Sequence, residues 1–379
     1  MSLGNVLILG AGLIGKTLAK DLSDDFSVTS ADINQVELDK LKSQAEVEVL
    51  RTDLSDSKIL TELCTDFDLV VGAVPGFMGF KVLETVIQAG KNIVDISFFP
   101  EDPFRLDELA KSKNVTAIVD CGVAPGLCNL IAGFHYRQMK IESYECLVGG
   151  LPVKRELPFE YKSLFSPVDV IEEYVRDVRI IDNGEYVTKD ALSDCQLVEF
   201  PETGLLESFN TDGLRTLLKT MNGVPNMREK TLRYPGHAKL MKAFRETGLF
   251  RKDEISIDGC KITPLSVTSS LLFPMWKLNE GDDDFTIMRI TISGNEKGQI
   301  VNYEYTLFDK SIPELKLSSM ARTTGYTCTA TVRALATSKI NQKGISPPEY
   351  LGFNKETFDF IIGELQARGI KFDLKKLIN

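Results

Sequence analysis

Asn5-Val6-Leu7-Ile8-Leu9-Gly10-Ala11-Gly12-Leu13-Ile14-Gly15 opens on an unbroken apolar run and closes on a Gly-x-Gly-x-x-Gly turn, and Asp32 follows about one strand-helix-strand unit later. A strand buried on both faces of a parallel sheet reads as such a run, and Leu13–Leu22 carries the spacing of a helix packed on that sheet. Each glycine then has a task. Gly10 allows the tight turn, Gly12 lets the backbone approach a pyrophosphate, and Gly15 lets helix and strand close together, with phosphates at the positive helix end. Asp32 closes the expected strand 26–31, where a carboxylate accepts both ribose hydroxyls of a dinucleotide. Asp32 is followed by Ile33 and Asn34, with no Arg or Lys beside it in the sequence, so the expected cofactor is NAD, since a 2′-phosphate would be repelled.

Working outward, strand-like runs recur at Asn5–Leu9, 26–31, 47–50, Leu69–Gly72, 92–96 and 116–119, with helical spacing between them. This alternation predicts an α/β fold, a Rossmann doubly wound parallel sheet. In such a sheet the ligand lies beyond the carboxyl ends of the strands. The residues expected there are Gly10, Ala11, Gly12, Leu13, Ile14, Gly15, Asp32, Asp53, Leu54, Ala73, Val74, Pro75, Asp95, Ser97, Asp120, Cys121 and Gly122. After about residue 140 the pattern changes to hairpins and isolated helices, the mark of an inserted α+β second domain. Asp182-Asn183-Gly184-Glu185 is a type I′ turn signal, and residues 284–293 with 299–308 read as a long antiparallel hairpin. Helices are expected at 168–175, 212–221, 236–247 and within 262–277. From Ser318 or Ser319, as a cap, the pattern is helical again over 320–339 and 356–368. The expected division is therefore 1–135 plus 318–379 for the nucleotide domain and 136–317 for the inserted domain.

Composition narrows the function. With 379 residues, 43% hydrophobic and 26% charged, the chain can bury two ordinary cores, and no stretch approaches the length of a membrane span. The formal charge of −10 and the lack of a Lys/Arg cluster argue against nucleic acid as a partner. No secretory leader is visible, so the expected compartment is cytoplasmic. The seven cysteines are scattered without a Cys-x-x-Cys pair and read as reduced thiols. The only two histidines, His135 and His237, stand too far apart in sequence to suggest a metal site, and none is expected.

Several blocks go beyond fold class. Ala73-Val74-Pro75-Gly76, Asp120-Cys121-Gly122-Val123-Ala124-Pro125-Gly126, Phe165-Ser166-Pro167 with Glu172-Glu173-Tyr174, Thr231-Leu232-Arg233-Tyr234-Pro235-Gly236-His237 and Ser319-Met320-Ala321-Arg322 together resemble the saccharopine dehydrogenase-like superfamily, nearest to its lysine 6-dehydrogenase branch. The resemblance spans nearly the whole chain. It implies an NAD cofactor, a small amino-acid substrate, a homo-oligomer with a dimer favoured, and oxidative deamination of the ε-amino group of L-lysine to an aldehyde and ammonia. Two positions depart from the pattern: Phe165 and Tyr234 stand where some relatives carry Trp.

That reaction needs a group to take the proton of the ε-amine, a nicotinamide over the ε-carbon and a cation for the α-carboxylate. Asp95 and Asp120, at strand ends, either serve the amine or cap the next helix. Only one of Glu172 and Glu173 can face a cleft from one helix. His237 begins a helix, whose dipole favours a neutral imidazole suited to base work. His135 reads as a packed residue. Arg233 and Arg322 are candidate carboxylate clamps, or ion-pair partners. Tyr161-Lys162 lacks the Tyr-x-x-x-Lys spacing of reductases, and Cys121 and Cys128 read as small packing residues. Two other readings stay open: a dehydrogenase or reductase of saccharopine or a carboxylated polyamine, which needs more cleft-facing Arg or Lys, and an NAD-sensing regulator without turnover.

Overall fold

The computed structural model describes residues 3–279 and 281–378, in two compact units: one built from Met1–Gln138 and Ala321–Ile370, the other from Met139–Met320 and Lys371–Asn379.

The first unit carries β1 (Asn5–Leu9), β2 (Ser27–Asp32), β3 (Glu48–Arg51), β4 (Leu69–Gly72), β5 (Asn92–Asp95) and β6 (Thr116–Ile118). With a further strand, Gly344–Ser346, they form a seven-stranded sheet ordered Gly344–Ser346, β6, β5, β4, β1, β2, β3. Every pairing is parallel. The order reverses between β1 and β4, which defines the switch point where open α/β sheets hold ligands. Leu7, Leu9, Val70, Ile93, Ala117 and Ile345 share one buried cluster, which is why these strands read as apolar runs. The return of the chain after residue 320 is fixed by charge as well as by packing. Arg333, buried, binds Asp21 and Asp25 at 2.6 Å each, and Arg368 meets the other oxygen of Asp21 at 2.6 Å.

The second unit contains β7 (Lys140–Pro152), the hairpin β8 (Val178–Asp182) and β9 (Glu185–Lys189), β10 (Gln196–Phe200), β11 (Gly204–Asn210), β12 (Met227–Arg233), the small hairpin β13 (Ile255–Ile257) and β14 (Cys260–Ile262), and the long pair β15 (Asp284–Glu296) and β16 (Gln299–Lys310). Its main sheet is mixed: β12 runs parallel to β7, and the remaining pairings are antiparallel. Asn183 and Gly184 both have positive φ, as a type I′ turn requires.

Three expectations are corrected. The segment 318–379 does not belong whole to the nucleotide unit, because Phe372–Ile378 pairs with β16 in the second sheet. The helix expected over 212–221 shrinks to Leu217–Thr220, since Arg215 adopts a left-handed φ of +51° and the Asp212 carboxylate is taken by the backbone and side chain of Arg179. The start of the helix Ser319–Ala336 is capped from a distance: Asp284 Oδ1 accepts from the Ser319 amide at 2.9 Å and Oδ2 from the Met320 amide at 3.2 Å. The Ser319 hydroxyl instead donates to Asp309.

Candidate functional site

In the first unit the glycine turn has the form a nucleotide needs. Gly10 sits at φ +115°, and a Cβ there would lie 2.5 Å from the carbonyl oxygen of Ala73. A Cβ on Gly15 would collide with the Gly10 carbonyl, whereas one on Gly12 would meet nothing within 4 Å. The first two constraints are internal, and the third leaves open space above the turn. Gly12 also caps the helix Leu13–Leu22 without a side-chain hydrogen bond, so no side chain consumes the amides at that helix end.

Asp32 is held by two backbone amides, Ala11 to Oδ2 at 2.7 Å and Asn34 to Oδ1 at 2.8 Å. Each oxygen keeps a lone pair for a ribose hydroxyl. These features fit an adenine dinucleotide: the turn and helix end for the pyrophosphate, Asp32 for the ribose. The expectation that no cation stands beside Asp32 is corrected by the sheet. Arg51, in β3, is its register partner, and Arg51 Nε donates to the carbonyl oxygen of Ile33 at 3.3 Å.

Other expected contacts are more internal. Leu54 lies in the core, and Asp53 is exposed, accepting from the amide and hydroxyl of Ser55 in a way that lowers its pKa. Asp95 is completely buried, with its oxygens receiving the Ser97 amide at 3.2 Å and hydroxyl at 2.9 Å. That arrangement shapes the strand end, and it leaves Asp95 unexposed to a substrate. Asp120 closes β6 in a left-handed conformation, φ +53°, which Asp tolerates better than most residues. After it, Gly122, Pro125 and Gly126 close a tight loop through Gly122 N to Pro125 O at 3.1 Å and Leu127 N to Gly122 O at 2.9 Å. Cys121 and Cys128 are buried, their thiols donating to Thr331 Oγ1 at 3.3 Å and Asn129 Oδ1 at 3.1 Å. Arg322, also buried, donates to the Arg368 carbonyl at 3.2 Å. His135 is buried edge-on to Phe134.

The second unit gathers Glu173, Arg233 and His237 into one aromatic cluster. Arg233 Nη2 binds Glu173 Oε2 at 2.7 Å while its guanidinium lies over the Tyr161 ring, 4.6 Å from the centroid. Burial raises the Glu173 carboxyl above the usual range, and Arg233 opposes this. Glu172, on the same helix Pro167–Val175, turns to Lys252 at 2.6 Å and Arg176 at 3.8 Å, so Glu173 is the inward member. The Phe159 carbonyl accepts from His237 Nδ1 at 3.0 Å, which makes Nε2 the acceptor of the Tyr174 hydroxyl at 3.0 Å. Its pKa falls to about 3, chiefly through burial and then through Arg233. The imidazole is thus neutral as expected, through desolvation, and both nitrogens are occupied. Tyr234 donates to the Pro152 carbonyl at 2.9 Å under Arg155, and Phe165 packs on the same core. Lys162 bonds the Met275 carbonyl at 3.1 Å, separate from the Tyr161 stacking.

Sequence reasoning missed Arg176, Arg179 and Arg215. Arg179 pairs with Asp212 at 2.6 Å, and Arg215 is buried close enough to Arg176 to help lower its pKa, second to burial. No motif spacing marks these residues, because a turn and two separate strands bring them together.

Comparison with known proteins follows the same division. Residues 6–118 match the saccharopine dehydrogenase NADP binding domain and residues 122–370 the saccharopine dehydrogenase C-terminal domain. The chain belongs to the saccharopine dehydrogenase family. Relatives in this family are NAD(P)-dependent oxidoreductases acting on CH–NH donors. The chain is 23% identical to the mitochondrial alpha-aminoadipic semialdehyde synthase of Bos taurus, over 98% of this chain and 48% of that protein. It thus spans about half the length of such relatives. It is 21% identical to the carboxyaminopropylagmatine dehydrogenase of Synechocystis sp., over 94% of this chain and 93% of that one. In fold it is similar to apo saccharopine dehydrogenase (L-Glu forming) from Saccharomyces cerevisiae, with a TM-score of 0.80 at 19% identity, covering 99% of this chain and all of that one. Among the described residues no helix is long and apolar enough to cross a membrane.

Proposed function

We propose that this chain oxidises the carbon bearing the ε-nitrogen of L-lysine, with NAD as the preferred cofactor. The observation that carries the substrate reading is the matching of charge in the second unit: Arg233 with Glu173, Arg179 with Asp212 and Arg176 with Glu172. A substrate with several carboxylates needs surplus cations, and paired arginines supply few; a single α-carboxylate needs one. Arg322 and Arg233 are the proposed clamps. Asp120 is the proposed proton acceptor, because Asp95 is committed to Ser97 and His237 has both nitrogens engaged.

When bound, the nicotinamide supplies a hydride acceptor. The chain's own work is to orient and deprotonate. Gly10–Gly15 and Asp32 hold the nucleotide, Asp120 takes a proton from the ε-ammonium, and the guanidinium fixes the carboxylate end. Loss of that proton and of a hydride leaves an iminium, which water hydrolyses to aldehyde and ammonium.

A second reading, oxidation of a secondary amine such as saccharopine, is favoured by buried Arg215 beside Arg176, two like charges that an additional carboxylate would relieve. The deciding test is reduction of NAD, followed by NADH absorbance, on a panel of L-lysine, saccharopine, carboxylated polyamines and plain alkylamines. Turnover of lysine with ammonia release supports the first reading. Turnover of saccharopine alone replaces it with the second, and binding of NAD with no turnover on any amine points to a sensing role.

A further inference from the structure

We infer that Arg51 is a counter-cation to Asp32 that admits the 2′-phosphate of NADP, so that the site takes both dinucleotides while keeping NAD ahead. The inference rests on the dinucleotide reading of the first unit and adds a residue that sequence proximity does not reveal. Arg51 and Asp32 are nineteen positions apart along the chain, yet they are direct partners in the parallel register of β2 and β3. Partners in a parallel ladder project to the same face of the sheet, one strand spacing apart, about 4.8 Å. The two side chains therefore share the rim where the ribose of the nucleotide is expected.

Their commitments differ. Asp32 has one backbone amide on each oxygen and is fixed in direction. Arg51 is exposed, and its one hydrogen bond, from Nε to the Ile33 carbonyl, turns the base of the guanidinium toward the chain that follows Asp32. Among the described residues Arg51 forms no ion pair, although the chain carries more acids than bases. A planar fork with unused Nη donors next to the ribose-binding carboxylate has the chemistry of a phosphate acceptor site. NAD presents only hydroxyls there and gains nothing from Arg51. NADP presents a dianion that Asp32 repels and Arg51 attracts at similar distances, so the two effects largely offset.

The test is equilibrium binding, by calorimetry, of NAD, NADP, 5′-AMP and adenosine 2′,5′-bisphosphate to the full chain and to Arg51→Ala and Arg51→Gln. The unmodified protein is expected to bind NADP within about tenfold of NAD. Either substitution is expected to weaken NADP and the bisphosphate about five- to fiftyfold, as loss of one charge at about 4–5 Å implies, and to leave NAD and 5′-AMP within about twofold. Equal losses for all four ligands, no loss for any, or undetectable NADP binding by the unmodified protein overturns the assignment. If the unmodified protein binds none of the four, the dinucleotide reading itself falls and this inference falls with it. Unchanged NAD binding by both variants serves as the folding control.

Discussion

Arg233 and Glu173 form a 2.7 Å ion pair whose guanidinium is covered by the Tyr161 ring, with the arginine side chain 3% exposed and the glutamate 18%. A buried pair of this kind stabilises weakly against an apolar substitute, but losing one partner leaves a desolvated charge. Arg233→Ala is therefore expected to cost about 3–5 kcal/mol in urea unfolding, while Lys252→Ala, which releases Glu172 near the surface, costs about 1 kcal/mol or less. Similar small losses for both would show that Arg233 is not held as described.

His237 makes stability depend on pH. Its folded-state pKa, about 3, lies below the ordinary 6.5, so below pH 6.5 the unfolded ring binds a proton that the folded ring refuses. Stability from this group is complete above pH 6.5 and is lost as pH falls toward 3, at about 1.4 kcal/mol per pH unit. Between pH 6.5 and 4.5 the native protein should lose about 2–3 kcal/mol more than His237→Asn, which keeps a donor for the Phe159 carbonyl. Parallel slopes of unfolding free energy against pH would sink the idea.

The glycine turn separates folding from binding. Gly15→Ala drives a methyl into the Gly10 carbonyl and should lower Tm by several degrees; Gly12→Ala meets open space and should leave Tm unchanged. Yet Gly12 is where a pyrophosphate approaches, so its alanine should weaken NAD binding about tenfold or more. Calorimetry and thermal melting on the same two variants check this, and a Gly12→Ala protein that binds NAD normally would move the pyrophosphate elsewhere.

These contrasts show what a linear sequence carries. The six strands from Asn5 to Ile118 were legible because burial on both faces leaves only apolar residues, and the I′ turn at Asn183-Gly184 was legible because positive φ at both positions restricts residue choice. Gly344–Ser346 was not, since three residues set no period and its place comes from pairing with β6. The Arg51 and Asp32 partnership was hidden for the same reason: register, not spacing, creates it. The 212–221 segment has helical composition, but Arg179 draws Asp212 away and Arg215 turns left-handed. His237 was correctly placed at a helix start and correctly neutral, yet desolvation and two hydrogen bonds decide its state rather than the dipole.

Asp32 bears the expected preference for NAD. Asp32→Ala removes the two amide contacts and the ribose acceptor, and should weaken NAD about ten- to a hundredfold, in keeping with about 1.5–3 kcal/mol for hydrogen bonds to a charged group. NADP should lose far less, because repulsion disappears together with the acceptor. Fluorescence titration of both cofactors measures the ratio, and a variant that keeps the native NAD to NADP ratio contradicts the role given to this carboxylate.

Substrate chemistry provides the last prediction. An ε-ammonium must lose its proton before a hydride can leave its carbon, so kcat/KM for L-lysine should rise with pH through the neutral range until acceptor and amine are both deprotonated. Asp120→Asn keeps the size of the side chain and removes its basicity; it should lower kcat by about a hundredfold or more with KM within a few-fold. Arg322→Ala should act oppositely, raising KM for lysine while a simple alkylamine, which has no carboxylate to clamp, shows no difference between the two proteins. Steady-state kinetics on lysine and a matched alkylamine separates the cases. If Asp120→Asn keeps its kcat the proton goes to another group, and if Arg322→Ala and Arg233→Ala both keep the native KM, the carboxylate is held by a cation outside this pair, with Arg215 the next to replace.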